Sequence, residues 1–336
     1  MSETAQKQAA FFAGILPLRL PDPRAAVAFA PSNIALGKYW GKRDDTLNLP
    51  CNSSLSVSLG SMGTTTKVSP ANAQKDEVIF NERALEAENP FASKILHFTS
   101  LFRQGQTIPL RIETENSIPT AAGLASSASG FAALVSALDA AFSLDLSKEQ
   151  QSCLARIGSG SATRSFWQGF VRWDRGNLQD GTDSYAVPLH ATWPEFRIAI
   201  IPVDTGPKSQ SSRDGMNHTV SSSPLFSGWP GRAEADCKII EQAIMERDFV
   251  MLGETAEANA LAMHATMMAA RPALCYLKPE SWRVLETLWS ARKDGLQAYA
   301  TMDAGANVKL IFLQDQEADI KSLFPNATII EPFRER

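Results

Sequence analysis

The chain has 336 residues, 44% of them hydrophobic, enough for one large domain or two modest ones with real cores. With 32 Lys+Arg against 36 Asp+Glu the formal net charge is -4, which argues against a general nucleic-acid surface. Four well-separated cysteines (Cys51, Cys153, Cys237, Cys275) form no Cys-x-x-Cys pair, the four histidines show no ligand spacing, and no apolar run is long enough to cross a bilayer.

Residues 9–20 are apolar but short and broken by Gly14 and Pro17, so residues 1–22 read as a flexible or loosely docked N-terminal extension and only weakly as a secretion signal. The cysteines then read as reduced thiols of a cytoplasmic protein. Strands are expected at 27–29, 54–59, 64–68 and 78–80. The alternation Ser54-Leu55-Ser56-Val57-Ser58-Leu59 predicts a half-buried strand, and Asn81-Glu82 a hairpin turn. A helix over 90–102 and a strand over 110–114 lead into a second helix. Phe131, Leu134, Val135, Leu138 and Phe142 make its apolar face. Ser147 and Gln150 are placed for a capping box, and 169–173 is a strand. Beyond a buried strand at 196–203, helices fill 232–268 with a break near Asp248. A helix over 282–293, strands at 299–302 and 308–313, a helix at 317–324 and a strand at 328–330 complete the chain. Strands early and helices late predict two α+β halves, 23–195 and 196–336.

The chemistry is concentrated in a few small-residue segments. The run Pro119-Thr120-Ala121-Ala122-Gly123-Leu124-Ala125-Ser126-Ser127-Ala128 opens a helix. Free first-turn amides and the helix dipole there suit an anion, and the Ser126 or Ser127 hydroxyl suits phosphate or a phosphate-bound metal. A tightly packed helix start is the plainer account. The segment from Gly37 to Arg43 is one residue short of a Walker loop and ends in Arg, and there is no Gly-x-Gly-x-x-Gly fingerprint after a strand. Lys38 and Lys42 are concentrated beside Asn33, Tyr39 and Trp40, where a solvated strand end is a poor explanation. In Gly158-Ser159-Gly160-Ser161-Ala162-Thr163-Arg164-Ser165 small residues admit a ligand, and Arg164 can grip phosphate or carboxylate bidentately. That segment and Ser211-Ser212-Arg213-Asp214-Gly215-Met216 read, taken alone, as loops. Asp303, in the turn Asp303-Ala304-Gly305-Ala306-Asn307, reads alone as structural.

In series, these segments resemble the diphosphomevalonate decarboxylases of the GHMP kinase superfamily. The likeness covers 33–44, Asn52-Ser53-Ser54-Leu55-Ser56-Val57, 119–127, 158–164, 212–216 and 303–305, in order. The serine run alone would mark only a GHMP-type kinase; Lys38-Tyr39-Trp40-Gly41-Lys42 separates the decarboxylases. Gly37, Thr163 and Ala306 depart from the family pattern without removing a proposed catalytic group.

The resemblance implies a two-domain α+β fold with the site in the inter-domain cleft, a cytoplasmic homodimer, and ATP with Mg2+ as cofactors. It implies phosphorylation of the tertiary hydroxyl of mevalonate diphosphate, then loss of phosphate and carbon dioxide to give isopentenyl diphosphate. Asp303 would orient or deprotonate the hydroxyl, with Lys38 beside it, and Arg164 would hold the substrate carboxylate. Gly123, Leu124, Ala125, Ser126 and Ser127 would cradle ATP, with Ser127 (or Ser126) on the metal. Ser212 would sit near the transferred phosphoryl group and Asn33 near the substrate. Tyr39, Lys42, Ser159, Ser161, Arg213 and Met216 would line the diphosphate pocket. The alternatives are a sister enzyme that takes the monophosphate or stops at phosphorylation, and a non-catalytic binding protein. Retention of Lys38, Asp303 and both serines favours the full reaction.

Overall fold

The computed structural model describes residues 2–117, 126–204, 206 and 210–334, and of Ser126 only its place in a helix. The first half runs α1 (Glu3–Ala13), β1 (Ala26–Gly37), β2 (Lys42–Asp44), β3 (Leu49–Pro50), β4 (Ser54–Pro70), β5 (Glu77–Phe80), β6 (Arg83–Leu85), α2 (Pro90–Phe102), β7 (Leu110–Asn116), α3 (Ser126–Phe142) and α4 (Lys148–Gly158). A 3-10 turn over Gly160–Arg164, β8 (Phe170–Trp173) and β9 (Ala186–Pro188) close it. The second half runs β10 (Phe196–Ile201), α5 (Ser212–Ser222), α6 (Trp229–Glu246), α7 (Phe249–Met268), α8 (Pro279–Lys293), β11 (Ala298–Met302), β12 (Val308–Leu313), α9 (Glu317–Leu323) and β13 (Thr328–Ile330).

Among the described residues the strands form two main sheets. The first follows β6-β5-β7-β4-β8-β9, with β1 antiparallel along the length of β4. The opposite edge of β4 is shared: β7 pairs residues 64–70 and β8 pairs residues 54–57. The second sheet is antiparallel, in the order β11-β12-β10-β13. Asn81 and Glu82, both at positive φ, turn β5 into β6. Ser147 and Gln150 form the capping box of α4, and Asp248 caps α7 just past the break.

The strand over 54–59 is not half-buried. Both faces of β4 are covered there. Leu55, Val57 and Leu59 join Ile34 and Leu36 of β1 in a core shared with β10–β12 and α6–α8. Ser54, Ser56 and Ser58 are buried on the other face, where Ser54 meets Arg164. One strand pair of the first sheet thus supplies both a wall of the second core and a wall of the cleft.

The N-terminal segment is not a flexible tail. Ser2 caps α1, and Phe11, Phe12, Leu16 and Leu20 enter the first core. Phe12 is fully buried against the rings of Phe98 and Phe102, and the Arg156 guanidinium lies 5.1 Å from the Phe11 ring centre. Two adjacent aromatics supply enough apolar area to dock a helix whose sequence is otherwise polar. Phe12→Ala is expected to destabilise the chain by about 3–5 kcal/mol in urea unfolding, as for other buried aromatics. A loss under about 1 kcal/mol would mean that α1 is loosely held.

Candidate active site

Lys38 follows directly on β1, and its backbone is fixed from both sides. Its N–H donates to Asn259 Oδ1 on α7 at 2.8 Å, and its carbonyl accepts from Asn52 Nδ2 at 2.8 Å. Both asparagines are fully buried, and Asn259 is itself held by Asp236 of α6 at 2.9 Å. The Lys38 side chain therefore leaves the strand in one direction. Its ammonium donates to Ala35 O at 2.9 Å and to Asp303 Oδ1 at 2.8 Å. Gly41, at φ +101° and hard against the Phe226 ring, lets the chain turn away behind Tyr39 and Trp40.

Asp303 stands at the end of β11, where the chain turns into β12. The turn is tied down by Asn307 Oδ1, which accepts from the N–H groups of Val203 and Asp204. The other carboxylate oxygen, Oδ2, accepts from Lys309 Nζ at 3.1 Å. Both lysines are buried, whereas 41% of the Asp303 side-chain surface stays open, so a ligand in the cleft can reach it. Burial would push the Asp303 pKa up. Lys38 and Lys309 override it and hold the carboxyl well below the usual carboxylate range. Burial, opposed by Asp303, pulls Lys38 down to about 8. His264 on α7 is hydrogen-bonded to the Asp303 backbone; burial and the nearby Lys38 pull it down to about 4, so it is neutral.

Arg164 ends the 3-10 turn and is 2% exposed. Its NH1 donates to Ser54 Oγ, its NH2 to Asn33 Oδ1 at 3.5 Å, and the guanidinium lies 5.8 Å from the Trp173 ring centre. Its Nε and the Tyr39 hydroxyl are buried with no hydrogen-bond partner among the described residues. Burial pulls Arg164 down to about 10, with Asp303 opposing, so it keeps its charge and lies within electrostatic reach of the carboxylate. Asn33 also donates to Ser161 O at 3.3 Å and Ser165 Oγ at 2.8 Å, so its amide is spent on holding this turn.

The segments read as loops are helical. Residues 158–165 are the end of α4 and the 3-10 turn, closed by Thr163 Oγ1 on Gly160 O at 2.8 Å. Ser211 is the N-cap of α5, accepting from Asp214 N–H, which sets Ser212 and Arg213 in the first turn. Serine and Asp favour a helix start as much as a loop, so a motif rich in both is ambiguous without its partner elements. Tyr39 packs on Trp173 with ring centres 4.8 Å apart. The Lys42 ammonium is 3.3 Å from Asp45; burial and Arg213 lower its pKa while Asp45 opposes. Met216 is turned into an apolar cluster with Trp40, Trp229 and Tyr276.

Ser127 is exposed in the first turn of α3, and its hydroxyl is 3.4 Å from Ser159, which is 3.2 Å from Ser161. Beside Ser127 a cavity of about 210 Å³ is walled by Thr64, Thr66, Phe80, Ile112, Phe131 and Leu134. Gly123, Leu124 and Ala125 lie outside the described residues, and the Ser126 side chain is not described. No group of three or more His, Cys, Asp or Glu among the described residues could cage a metal ion. Lys309, His264 and Asn259 escape the motif reading, and Ser54, inside the matched run 52–57, is given no role by it. Only Lys309 leaves a signal, a lone cation inside the apolar run 308–313.

The two sheets bring together an ionised carboxylate, buried cations and a row of serine hydroxyls, and the solved structures that this α+β chain superposes on have the GHMP kinase fold. Residues 30–186 match the family model described as diphosphomevalonate decarboxylase-like N-terminal domain, and 198–333 the mevalonate 5-diphosphate decarboxylase C-terminal domain. The chain belongs to the diphosphomevalonate decarboxylase family. The diphosphomevalonate decarboxylase of Candida albicans is 36% identical over 319 residues, covering 89% of this chain and 87% of that protein. The crystal structure of the Staphylococcus aureus mevalonate diphosphate decarboxylase superposes with TM-score 0.86 at 36% identity, over 92% and 95% of the two chains. A structure described as MDDEF in complex with MVAPP, AMPPCP and magnesium gives 0.85 at 37%, over 92% and 98%. Among the described residues, no helix is long and apolar enough to cross a membrane.

Proposed function

We infer that the chain is an ATP-dependent decarboxylase of mevalonate diphosphate, forming isopentenyl diphosphate, ADP, phosphate and carbon dioxide. The observation that carries the residue assignments is the Lys38–Asp303 pair, buried at the ammonium and open at the carboxylate, within electrostatic reach of the unsatisfied Arg164. The family match supplies the substrate class.

Hydroxide is a poor leaving group at carbon and phosphate a good one, so the tertiary hydroxyl is first phosphorylated. Asp303 receives or orients the hydroxyl proton; it is ionised and reachable, as a base must be. Lys38 offsets negative charge gathering on the transferred phosphoryl group. The C–O bond then breaks with its electron pair leaving on phosphate. The electrons of the C–carboxylate bond form the double bond as carbon dioxide departs. Arg164 holds the carboxylate through guanidinium N–H groups that Ser54 and Asn33 do not take up, on a fork fixed by those two residues. Lys42 and Arg213 neutralise the diphosphate, and Ser212, at the start of α5, lies where the helix dipole favours the phosphoryl group.

The cavity beside Ser127 suits a nucleotide base, and the hydroxyl row suits its phosphates. Magnesium fits this donor set because it prefers phosphate oxygens, water and one or two protein oxygens to a full protein cage. Ser127 would be its protein ligand, and the ion would neutralise phosphate charge during transfer. We further propose a division into domains near residue 195, a cytoplasmic location and a homodimer.

The test is product analysis by mass spectrometry with ATP, magnesium and, separately, mevalonate, its monophosphate and its diphosphate. Isopentenyl diphosphate with stoichiometric ADP and phosphate, from the diphosphate alone, is the expected result. A phosphorylated product that keeps its carboxyl group, or turnover of the monophosphate alone, would overturn the reading.

A further inference from the structure

Lys309 is a second cation on the site carboxylate, and the mechanism above does not use it. It lies in β12, between β10 and β11 in the interior of the second sheet. Its neighbours Val308 and Leu310 are fully buried, and Lys309 itself is 2% exposed. Lysine is among the residues least often found in such a place, because burying an ammonium is costly unless it is well paired. Its hydrogen-bond partner among the described residues is Asp303 Oδ2. The neighbour of Lys309 across on β11 is Thr301, whose hydroxyl donates to Ala35 O at 3.2 Å. That carbonyl also receives Lys38. This face of the sheet is therefore turned to the end of β1, and the two ammoniums grip the two oxygens of one carboxylate.

A carboxylate with a single cationic partner is ionised in the empty site. The loaded site is harsher, because a carboxylate, a diphosphate and a triphosphate crowd the cleft and like charge raises a carboxyl pKa. The groups that face Asp303 are Lys38 from the end of β1, Lys309 from β12, neutral His264 from α7 and Arg164 from the 3-10 turn. Lys38 and Arg164 are also drawn on by the incoming anions. Lys309, bonded to Asp303 from the sheet interior, is the cation left to the carboxylate.

We propose that Lys309 is a positioning residue: it fixes Oδ2 and keeps Asp303 ionised once the anionic ligands are bound, so that the tertiary hydroxyl meets an ionised carboxylate in one orientation. The inference rests on the assignment of Asp303 made above.

Lys309→Met keeps an unbranched stem out to the ε position and removes the ammonium; Lys309→Arg keeps the charge. Both are measured with ATP, magnesium and mevalonate diphosphate for kcat and each KM across pH, with calorimetric binding of both ligands as the check on folding. For Lys309→Met, kcat is expected to fall about tenfold or more near neutral pH, with each KM within about threefold. The loss should deepen several-fold near about pH 5.5, as the less supported carboxylate takes up a proton. Lys309→Arg should recover most of kcat. An unchanged kcat, a loss equal at every pH, or a loss confined to KM would overturn the proposal. Asp303→Asn separates the two claims. If it is inactive while Lys309→Met is normal, only the role of Lys309 fails; if it is active, the assignment beneath it fails.

Discussion

Asp303→Asn is expected to lower kcat by about 10²–10⁴-fold, the range over which a lost general base is felt, while ATP and mevalonate diphosphate bind within a few-fold of normal. The amide keeps the shape of the carboxylate but cannot take a proton. It also cannot accept with both heads, so one of the ammoniums that now share Asp303 is left facing an NH2 group. Removing the anion between two buried lysines cannot improve the site for the hydroxyl, yet it leaves in place Lys42, Arg164 and Ser127, the groups proposed to hold the anions. The sign of the pH dependence follows from the same geometry. The folded pKa of Asp303 is depressed, so its ionised form is present above that value and is lost only in strong acid. Lys38, pulled down to about 8, is charged below that pH and neutral above it. The free enzyme is therefore expected to lose kcat/KM for mevalonate diphosphate as pH rises past about 8, the limb that reports free-enzyme groups. Near-normal turnover by the asparagine variant, with calorimetry showing both ligands bound, would remove Asp303 from the chemistry.

What the sequence made legible was what is local. Hydrophobic period and turn chemistry located β5–β6, the capping box of α4 and the break before α7, because each is decided within a few residues. The segments that carry the site were recognisable by their order along the chain. Their conformations were not: Ser211 and Ser159 precede helical turns, and serine, glycine and aspartate write helix starts and loops in the same letters. The burial of both faces of β4 was invisible because period 2 reports the difference between two faces and not what covers them. Phe11 and Phe12 dock α1 through partners more than eighty residues away, so nothing near them distinguishes a tail from a core helix. Lys309, Asn259 and His264 belong to the site only through tertiary contact. The sequence run 119–125, which directed attention to phosphate at the outset, lies outside the described residues, and the case for the site rests instead on Lys38, Asp303 and Arg164.

Arg164→Met is the second large effect expected, and it should be divided between binding and turnover. The guanidinium is held before any ligand arrives: Ser54 and Asn33 each take one of its terminal nitrogens, and Trp173 lies alongside. Its Nε–H is buried without an acceptor among the described residues, so the protein does not fully match this cation, and an anion beside the guanidinium would offset the cost of burying it. Methionine fills much of the same volume but leaves the carboxylate without a donor. A hydrogen bond to a charged group is worth about 1.5–3 kcal/mol, so KM for mevalonate diphosphate should rise by about 10–100-fold. The effect on kcat follows from orientation. Carbon dioxide leaves neutral, so the arginine cannot gain attraction as the C–C bond breaks; its contribution is made earlier, by fixing the carboxylate while the hydroxyl is phosphorylated and by aligning the breaking C–C bond with the departing phosphate. A loose carboxylate should therefore lower kcat as well, and Arg164→Lys, which keeps the charge but not the fork, should restore binding better than turnover. The KM for ATP should move little, because the role proposed for Arg164 is on the substrate carboxylate and Arg164 does not line the cavity beside Ser127. A variant with wild-type KM for mevalonate diphosphate, or one whose defect lies in ATP binding, would show that the carboxylate is held elsewhere.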